Sequence, residues 1–154
     1  MAVKAIPDGY TAITPYLMVE GASTAIEFYR RAFDAQEIMR LDAPGGRVGH
    51  AELRIGNAVI MLADNAPEAL CKDPHGYGGT PVTFLVYVQD VDAQWKTALA
   101  AGAVELRPIK DQFYGDRSGT LRDPFGHIWT LATHIEDVSE EEMNRRIAAM
   151  HPQG

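Results

Sequence analysis

The chain has 154 residues, 46% of them hydrophobic, so it is long enough to bury one sizeable core and too short for two ordinary domains. Its formal net charge of −7 at pH 7 argues against a nucleic-acid partner, because such binding depends on clustered Lys and Arg, and it favours a neutral or cationic small molecule. No apolar run approaches the roughly 20 residues of a membrane span and no signal-peptide pattern opens the chain, so we expect a cytoplasmic protein without a membrane partner.

The first half of the chain predicts a strand, a helix and three further strands. An apolar strand over 13–19 leads into an amphipathic helix, for which Ser23 is the predicted N-cap and Asp34 the end. An extended run over 36–42 follows. Two alternating runs over 47–55 and 58–64 are separated only by Gly56 and Asn57, a dipeptide typical of a tight hairpin.

The same order recurs about 70 residues later, which indicates an internal repeat. A strand over 83–88 leads into a helix that turns Trp95 and Ala98 inward, and two later strands meet at a turn over 123–126. We therefore predict an α+β fold of two βαβββ modules, residues 1–65 and 81–135, forming a curved mixed sheet around a cleft. A Pro- and Gly-rich linker over 66–80 joins the modules, and a C-terminal helix and tail cover 136–154.

Three stretches of this pattern resemble the vicinal-oxygen-chelate superfamily of glyoxalases, bleomycin resistance proteins and dioxygenases, and within it the PhnB-like branch. They are PYLMVEGASTAIEFYRRAF, GHAELRIGNAVIMLAD and YGDRSGTLRDPFGHIWTLATH. The resemblance implies a ligand site in the cleft between modules. It also implies a homodimer, because relatives often build each cleft from modules of two chains and a half-module of this size is marginal alone.

Catalytic members of this superfamily hold a divalent metal with His and Glu side chains from the first and last strands of each module. Alignment with that pattern brings the four positions to Thr14, Met61, Thr83 and Thr130. Hydroxyls and a thioether are poor ligands for zinc, nickel or iron, which need imidazole, thiolate or carboxylate donors. We therefore expect no cofactor, and a divalent metal remains the less favoured alternative.

Residues that could still carry chemistry lie on the strands of the first hairpin. A two-residue turn at Gly56 and Asn57 pairs Met61 with Glu52, so alternation places His50 and Glu52 on the face that holds Met61. A His and a Glu two residues apart could be an acid/base pair, a displaced metal site or a hydrogen-bonded structural network.

The second hairpin adds a candidate cation. A four-residue turn over 123–126 pairs Arg117 with Ala132, which directs Arg117 into the cleft, where it could hold an anionic group or form an ion pair. The remaining predicted cleft residues are Tyr16, Met18, Met61, Thr83, Tyr87 and Thr130. The aromatic ones could stack on a flat ligand or belong to the core.

Two functions follow from these observations. The first is a glyoxalase/bleomycin-resistance-like protein that binds a small molecule in the inter-module cleft without the usual metal. The alternative is a glyoxalase-like lyase or isomerase that acts on a small carbonyl compound with His50 and Glu52 as proton-transfer groups. The sequence leaves open whether the protein is an enzyme.

Overall fold

The two predicted βαβββ modules are present in the computed structural model, which describes residues 3–151. The first contains β1 (Tyr16–Val19), α1 (Ala22–Phe33), β2 (Gln36–Ala43), β3 (Arg47–Ile55) and β4 (Ala58–Asp64). After a connecting segment with the short helix α2 (Pro74–Tyr77), the second contains β5 (Thr83–Tyr87), α3 (Val91–Ala101), β6 (Val104–Asp111), β7 (Asp116–Arg122) and β8 (Ile128–His134). A last helix, α4 (Glu140–Met150), ends the described chain.

Each module forms one four-stranded mixed sheet. The strand orders are β1-β4-β3-β2 and β5-β8-β7-β6, and in each sheet the first strand pairs in parallel with the last. The other neighbours are antiparallel hairpins. The α+β prediction of two βαβββ units is confirmed. No helix among residues 3–151 is long and apolar enough to cross a membrane.

The two modules share one hydrophobic core. The helices α1 and α3 pack against each other, and Trp129 of β8 lies against α1, with its ring centroid 4.7 Å from that of Phe33. The fully buried Tyr29 donates a hydrogen bond from α1 to Asp123 of the second module at 2.6 Å. One face of each sheet therefore packs on helices, and we call the opposite side the open face.

The start of α1 differs from the prediction. The helix begins at Ala22, so Ser23 lies inside it. The N-cap residue is Gly21, which has no side chain that could cap the helix. Instead, a carboxylate oxygen of Asp64 at the end of β4 accepts hydrogen bonds from the backbone N–H groups of Gly21 and Ala22 at 2.8 and 2.7 Å. A residue 42 positions away in sequence thus satisfies the first helical donors.

The two hairpins have different registers. In the first, Glu52 pairs with Met61 and Ile55 with Ala58, as the Gly56–Asn57 turn predicts. In the second, Arg117 pairs with Thr133 and not with Ala132. The reason is a loop of five residues, because Arg122 already pairs with Ile128 and the Asp123 N–H bonds the His127 carbonyl.

Candidate functional site

Four side chains form a hydrogen-bonded row on the open face of the first sheet. Tyr10, which precedes β1, donates to one carboxylate oxygen of Glu52. The other oxygen of Glu52 lies 3.1 Å from Nε2 of His50. The hydroxyl of Tyr16 lies 2.8 Å from Nδ1 of the same ring. A neutral imidazole with its proton on Nε2 satisfies all of these contacts at once.

The row contains a buried, charged carboxylate. The side chain of Glu52 is buried, and the hydrogen bond from Tyr10 is the main cause that lowers its pKa, with the bond from His50 acting in the same direction. Burial and the nearby Glu52 charge raise the pKa of Tyr16. At neutral pH the row therefore contains an ionised Glu52 and a protonated phenol at Tyr16.

A groove runs beside the exposed end of this row. It consists of two cavities of about 560 and 580 Å³ that share Tyr16, Met18 and Cys71. One cavity extends between the modules to Phe84 and His127 of the second module. The other extends along the first sheet to residues that include Val48, Ala63 and Leu70. We call the two cavities together the Tyr16 groove.

The walls of the Tyr16 groove are mostly apolar, with a few polar groups at defined points. The Tyr16 hydroxyl marks one of them. Arg47 lines the sheet side of the groove, and its hydrogen bonds to residues 3–151 go only to the carbonyls of Pro44 and Asn65, at 3.5 and 3.3 Å. His127 is buried and hydrogen-bonds the Met18 carbonyl at 2.9 Å, which ties the second module to β1.

The positions that the resemblance assigns to metal ligands carry no suitable donors. The parallel pairing places Tyr16, two residues beyond the predicted Thr14, beside Met61. It places Leu85, two residues beyond Thr83, beside Thr130. None of these side chains is an imidazole, thiolate or carboxylate, so this donor set does not fit zinc, nickel or iron. Among residues 3–151, no three or more His, Cys, Asp or Glu residues are grouped to hold a metal ion.

The open face of the second sheet carries its own polar cluster. Asp116 is buried and accepts hydrogen bonds from Tyr87 at 2.9 Å and from His134 at 2.7 Å. Thr130 pairs its hydroxyl with that of Thr120 at 2.9 Å. Three predicted cleft residues lie on this open face, namely Thr83, Tyr87 and Thr130. None of them lines the Tyr16 groove.

The expectation that Arg117 points into the cleft is wrong. The register of the second hairpin moves Arg117 to the helix-covered side of its sheet. There it forms ion pairs with Asp92 of α3 at 2.8 Å and Asp111 of β6 at 2.9 Å. The two carboxylates stabilise the charged guanidinium of Arg117. This residue therefore anchors α3 to the sheet and is not available to a ligand in the groove.

Sequence reasoning predicted His50, Glu52, Tyr16, Met18 and Met61 on one face, and the structure places them there. It missed Tyr10 and Cys71. Tyr10 lies 42 residues from Glu52 in a segment without strand or helix periodicity. Cys71 belongs to the linker, where no repeating pattern indicates which side chains face the sheet.

Comparison with known proteins gives one family. The Glyoxalase/Bleomycin resistance protein/Dioxygenase superfamily matches residues 10–131. A relative, the uncharacterized protein Rv0887c of Mycobacterium tuberculosis, is 42% identical over 158 aligned residues that cover 100% of this chain and 88% of that protein.

Solved structures show the same fold. The product of the Arabidopsis thaliana gene At5g48480 is 28% identical, with a TM-score of 0.66, and the match covers 80% of this chain and 98% of that one. A PhnB protein from Bacillus cereus, titled a putative 3-demethylubiquinone-9 3-methyltransferase, is 21% identical with a TM-score of 0.62, covering 80% and 99%. The second likeness extends to the fold alone.

Proposed function

Because the chain belongs to the Glyoxalase/Bleomycin resistance protein/Dioxygenase superfamily, we propose that it binds a small organic molecule in the Tyr16 groove without the catalytic metal of that superfamily. The observation that carries the proposal is the groove itself. Its cavities of about 560 and 580 Å³ fall in the range of small-molecule sites, with apolar walls and few polar groups. An apolar or aromatic body against Met18 and Val48, with a polar group near Tyr16, fits this lining.

The donor chemistry supports binding without a metal. In the alignment that the resemblance implies, Met61 and Thr130 correspond to metal ligands of the superfamily's catalytic members, and neither supplies a charged or imidazole donor. His50 and Glu52 offer two such donors, but both ring nitrogens of His50 are hydrogen-bonded within the row, which leaves a single carboxylate, too few donors for a transition-metal site. Elemental analysis of the purified protein tests this point. One tightly held transition metal per chain would contradict it.

A thermal-shift screen of small aromatic and oxyacid compounds tests ligand binding, and calorimetry then measures affinity for any hit. Cys71→Trp should abolish binding, because an indole at this exposed position fills the space shared by the two cavities. Leu106→Trp, on exposed β6 of the second sheet, is the matched control and should bind as the parent does. A hit whose affinity is unchanged in Cys71→Trp would overturn the assignment of the groove.

The second candidate function is a lyase or isomerase that acts on a small carbonyl compound. The observation that favours it is the orientation of His50 by the buried Glu52, the arrangement that a general base requires. One observation argues against catalysis: both ring nitrogens of His50 already take part in hydrogen bonds. A substrate would therefore have to displace the Tyr16 hydroxyl from Nδ1. Turnover that is lost in both His50→Asn and Glu52→Gln, with a pH profile that changes in each, would favour catalysis over simple binding.

A further inference from the structure

A third cavity lies on the other side of the hydrogen-bonded row, away from the Tyr16 groove. The segment before β1 crosses the open face of the first sheet. A turn bond from the Tyr10 N–H to the Pro7 carbonyl at 3.2 Å shapes the segment, and Arg54 donates to the Gly9 carbonyl at 3.5 Å. Between segment and sheet is a cavity of about 390 Å³. Its lining includes Ile6, Pro7, Tyr10, Thr14, Glu52 and Met61.

Among the described residues that line the cavity, Glu52 is the one charged group. Its side chain is 6% exposed, and it is ionised at neutral pH for the reasons given above. The groups that hydrogen-bond it are a phenol and an imidazole. Among the described residues, no Lys or Arg nitrogen lies within 4.0 Å of its carboxylate.

A buried charge is costly unless an opposite charge or several hydrogen bonds compensate for it. Each oxygen of Glu52 accepts one bond within the row, and an ionised carboxylate has about four acceptor positions. By this count two acceptor positions remain on Glu52, which lines the cavity. Arg54 shares the strand face with Glu52, but its guanidinium is directed to the Gly9 carbonyl.

We propose that this cavity binds a primary ammonium group carried on a small apolar body. The ammonium nitrogen donates to the free acceptor positions of Glu52, and the apolar body packs on Ile6, Pro7 and Met61. The ring of Tyr10 adds an aromatic face that attracts a cation. The site is separate from the Tyr16 groove, so this inference does not rest on the function proposed for that groove.

Benzylamine is a suitable probe, because it joins a primary ammonium to one aromatic ring. Titration of the isotope-labelled full chain, followed by amide NMR shifts, should perturb residues 5–14 and 52–61. Benzyl alcohol has the same shape without charge, and benzyltrimethylammonium has the charge without N–H donors. Both should bind at least about tenfold more weakly, since each lacks either the charge or the N–H donors of a charge-assisted hydrogen bond. Equal affinity for benzyl alcohol would overturn the proposal.

Two variants locate the site. Glu52→Gln keeps the side-chain shape and should lower benzylamine affinity at least about tenfold, whereas Glu68→Gln, on the wall of the Tyr16 groove, should leave it unchanged. Ile6→Trp fills the cavity from the exposed segment and leaves all four side chains of the row unsubstituted, so it tests the site even if Glu52→Gln folds poorly. Leu70→Trp is its matched control in the groove. Retained affinity in Ile6→Trp, or NMR shifts confined to the Tyr16 groove, would reject this site while leaving the groove proposal standing.

Discussion

At the scale of single residues, Asp123 connects the two modules and shapes the loop between β7 and β8. One of its carboxylate oxygens accepts the backbone N–H groups of Phe125 and His127, both at 2.9 Å. The other accepts the Tyr29 hydroxyl at 2.6 Å and the Trp129 indole N–H at 2.9 Å. Four donors for one buried carboxylate explain how this charge is tolerated in the core.

Removing one of these donors should be measurable. We expect Tyr29→Phe to lower the free energy of unfolding by about 1.5–3 kcal/mol, because it leaves a buried carboxylate oxygen with one hydrogen bond fewer. Urea denaturation gives this difference. Tyr114→Phe is the control, since Tyr114 is partly exposed and its hydroxyl makes no hydrogen bond to the described residues. A stability of Tyr29→Phe equal to that of the control would show that Asp123 does not need this donor.

His134 should make stability depend on pH. Hydrogen bonds to Asp116 and then to Asp137 raise the pKa of His134 above its usual 6.5. A raised folded-state pKa contributes stability that is fully present below the unfolded pKa and is lost as pH rises through the folded value. The stability difference between the parent and His134→Gln should therefore shrink as pH rises above about 6.5.

Urea denaturation of both proteins across this pH range measures the effect. His75→Gln provides the control, because His75 hydrogen-bonds the Pro124 carbonyl and no carboxylate of the described part of the chain. A difference between parent and His134→Gln that stays constant, or grows with pH, would contradict the ion pairs of His134.

At the scale of elements, the contact between α3 and β7 depends on a glycine. A Cβ atom built at Gly119 would lie 2.9 Å from the Trp95 ring and from the Ile109 side chain. The helix therefore approaches its sheet more closely here than any side chain allows. This contact follows from the same register that places Arg117 on the helix-covered side.

We expect Gly119→Ala to destabilise the fold by about 1–3 kcal/mol, the usual cost of overpacking a core. Gly49→Ala is a matched strand control, because its added Cβ would meet its nearest neighbour, Ala43, at an ordinary 3.4 Å. Thermal unfolding of the two variants gives the comparison. Similar midpoints would mean that α3 can move away from β7 at little cost.

At the scale of the whole molecule, the open faces expose large apolar side chains. Tyr16 and Leu85 are each 50% exposed and Tyr87 is 62% exposed, and all three lie on the edge strands β1 and β5. A surface of this kind often marks a contact with another protein. We therefore predict that the protein is a homodimer in which a second copy covers these faces.

Light scattering coupled to size-exclusion chromatography tests the oligomeric state. Leu85→Glu should shift the protein toward the monomer, because each copy, already at a net charge of −7, would place a further negative charge in the interface. Leu70→Glu, at a fully exposed position of the linker, should keep the parent mass. A parent that is monomeric at tens of micromolar would contradict the prediction.

The sequence by itself determined the family, the α+β class, the order of the elements and the register of the first hairpin. These features depend on interactions over a few residues: alternation along a strand, helical periodicity, and a two-residue turn at Gly56 and Asn57. For the same reason, His50, Glu52 and Tyr16 could be placed on one face before their contacts were known.

Only the tertiary structure decided the second register, the environment of Arg117 and the boundaries of the cavities. The loop over 123–127 has an odd number of residues because the Asp123 carboxylate accepts hydrogen bonds from two backbone N–H groups of the loop. The same carboxylate is surrounded by the buried Tyr29 and Trp129, so the loop bonds depend on that burial. Tyr10 donates to Glu52 across 42 positions, and Cys71 of the linker lines the same groove as Tyr16 and Met18 of β1. Contacts of such separation depend on how the two modules and the chain ends pack, and no local pattern of residues encodes them.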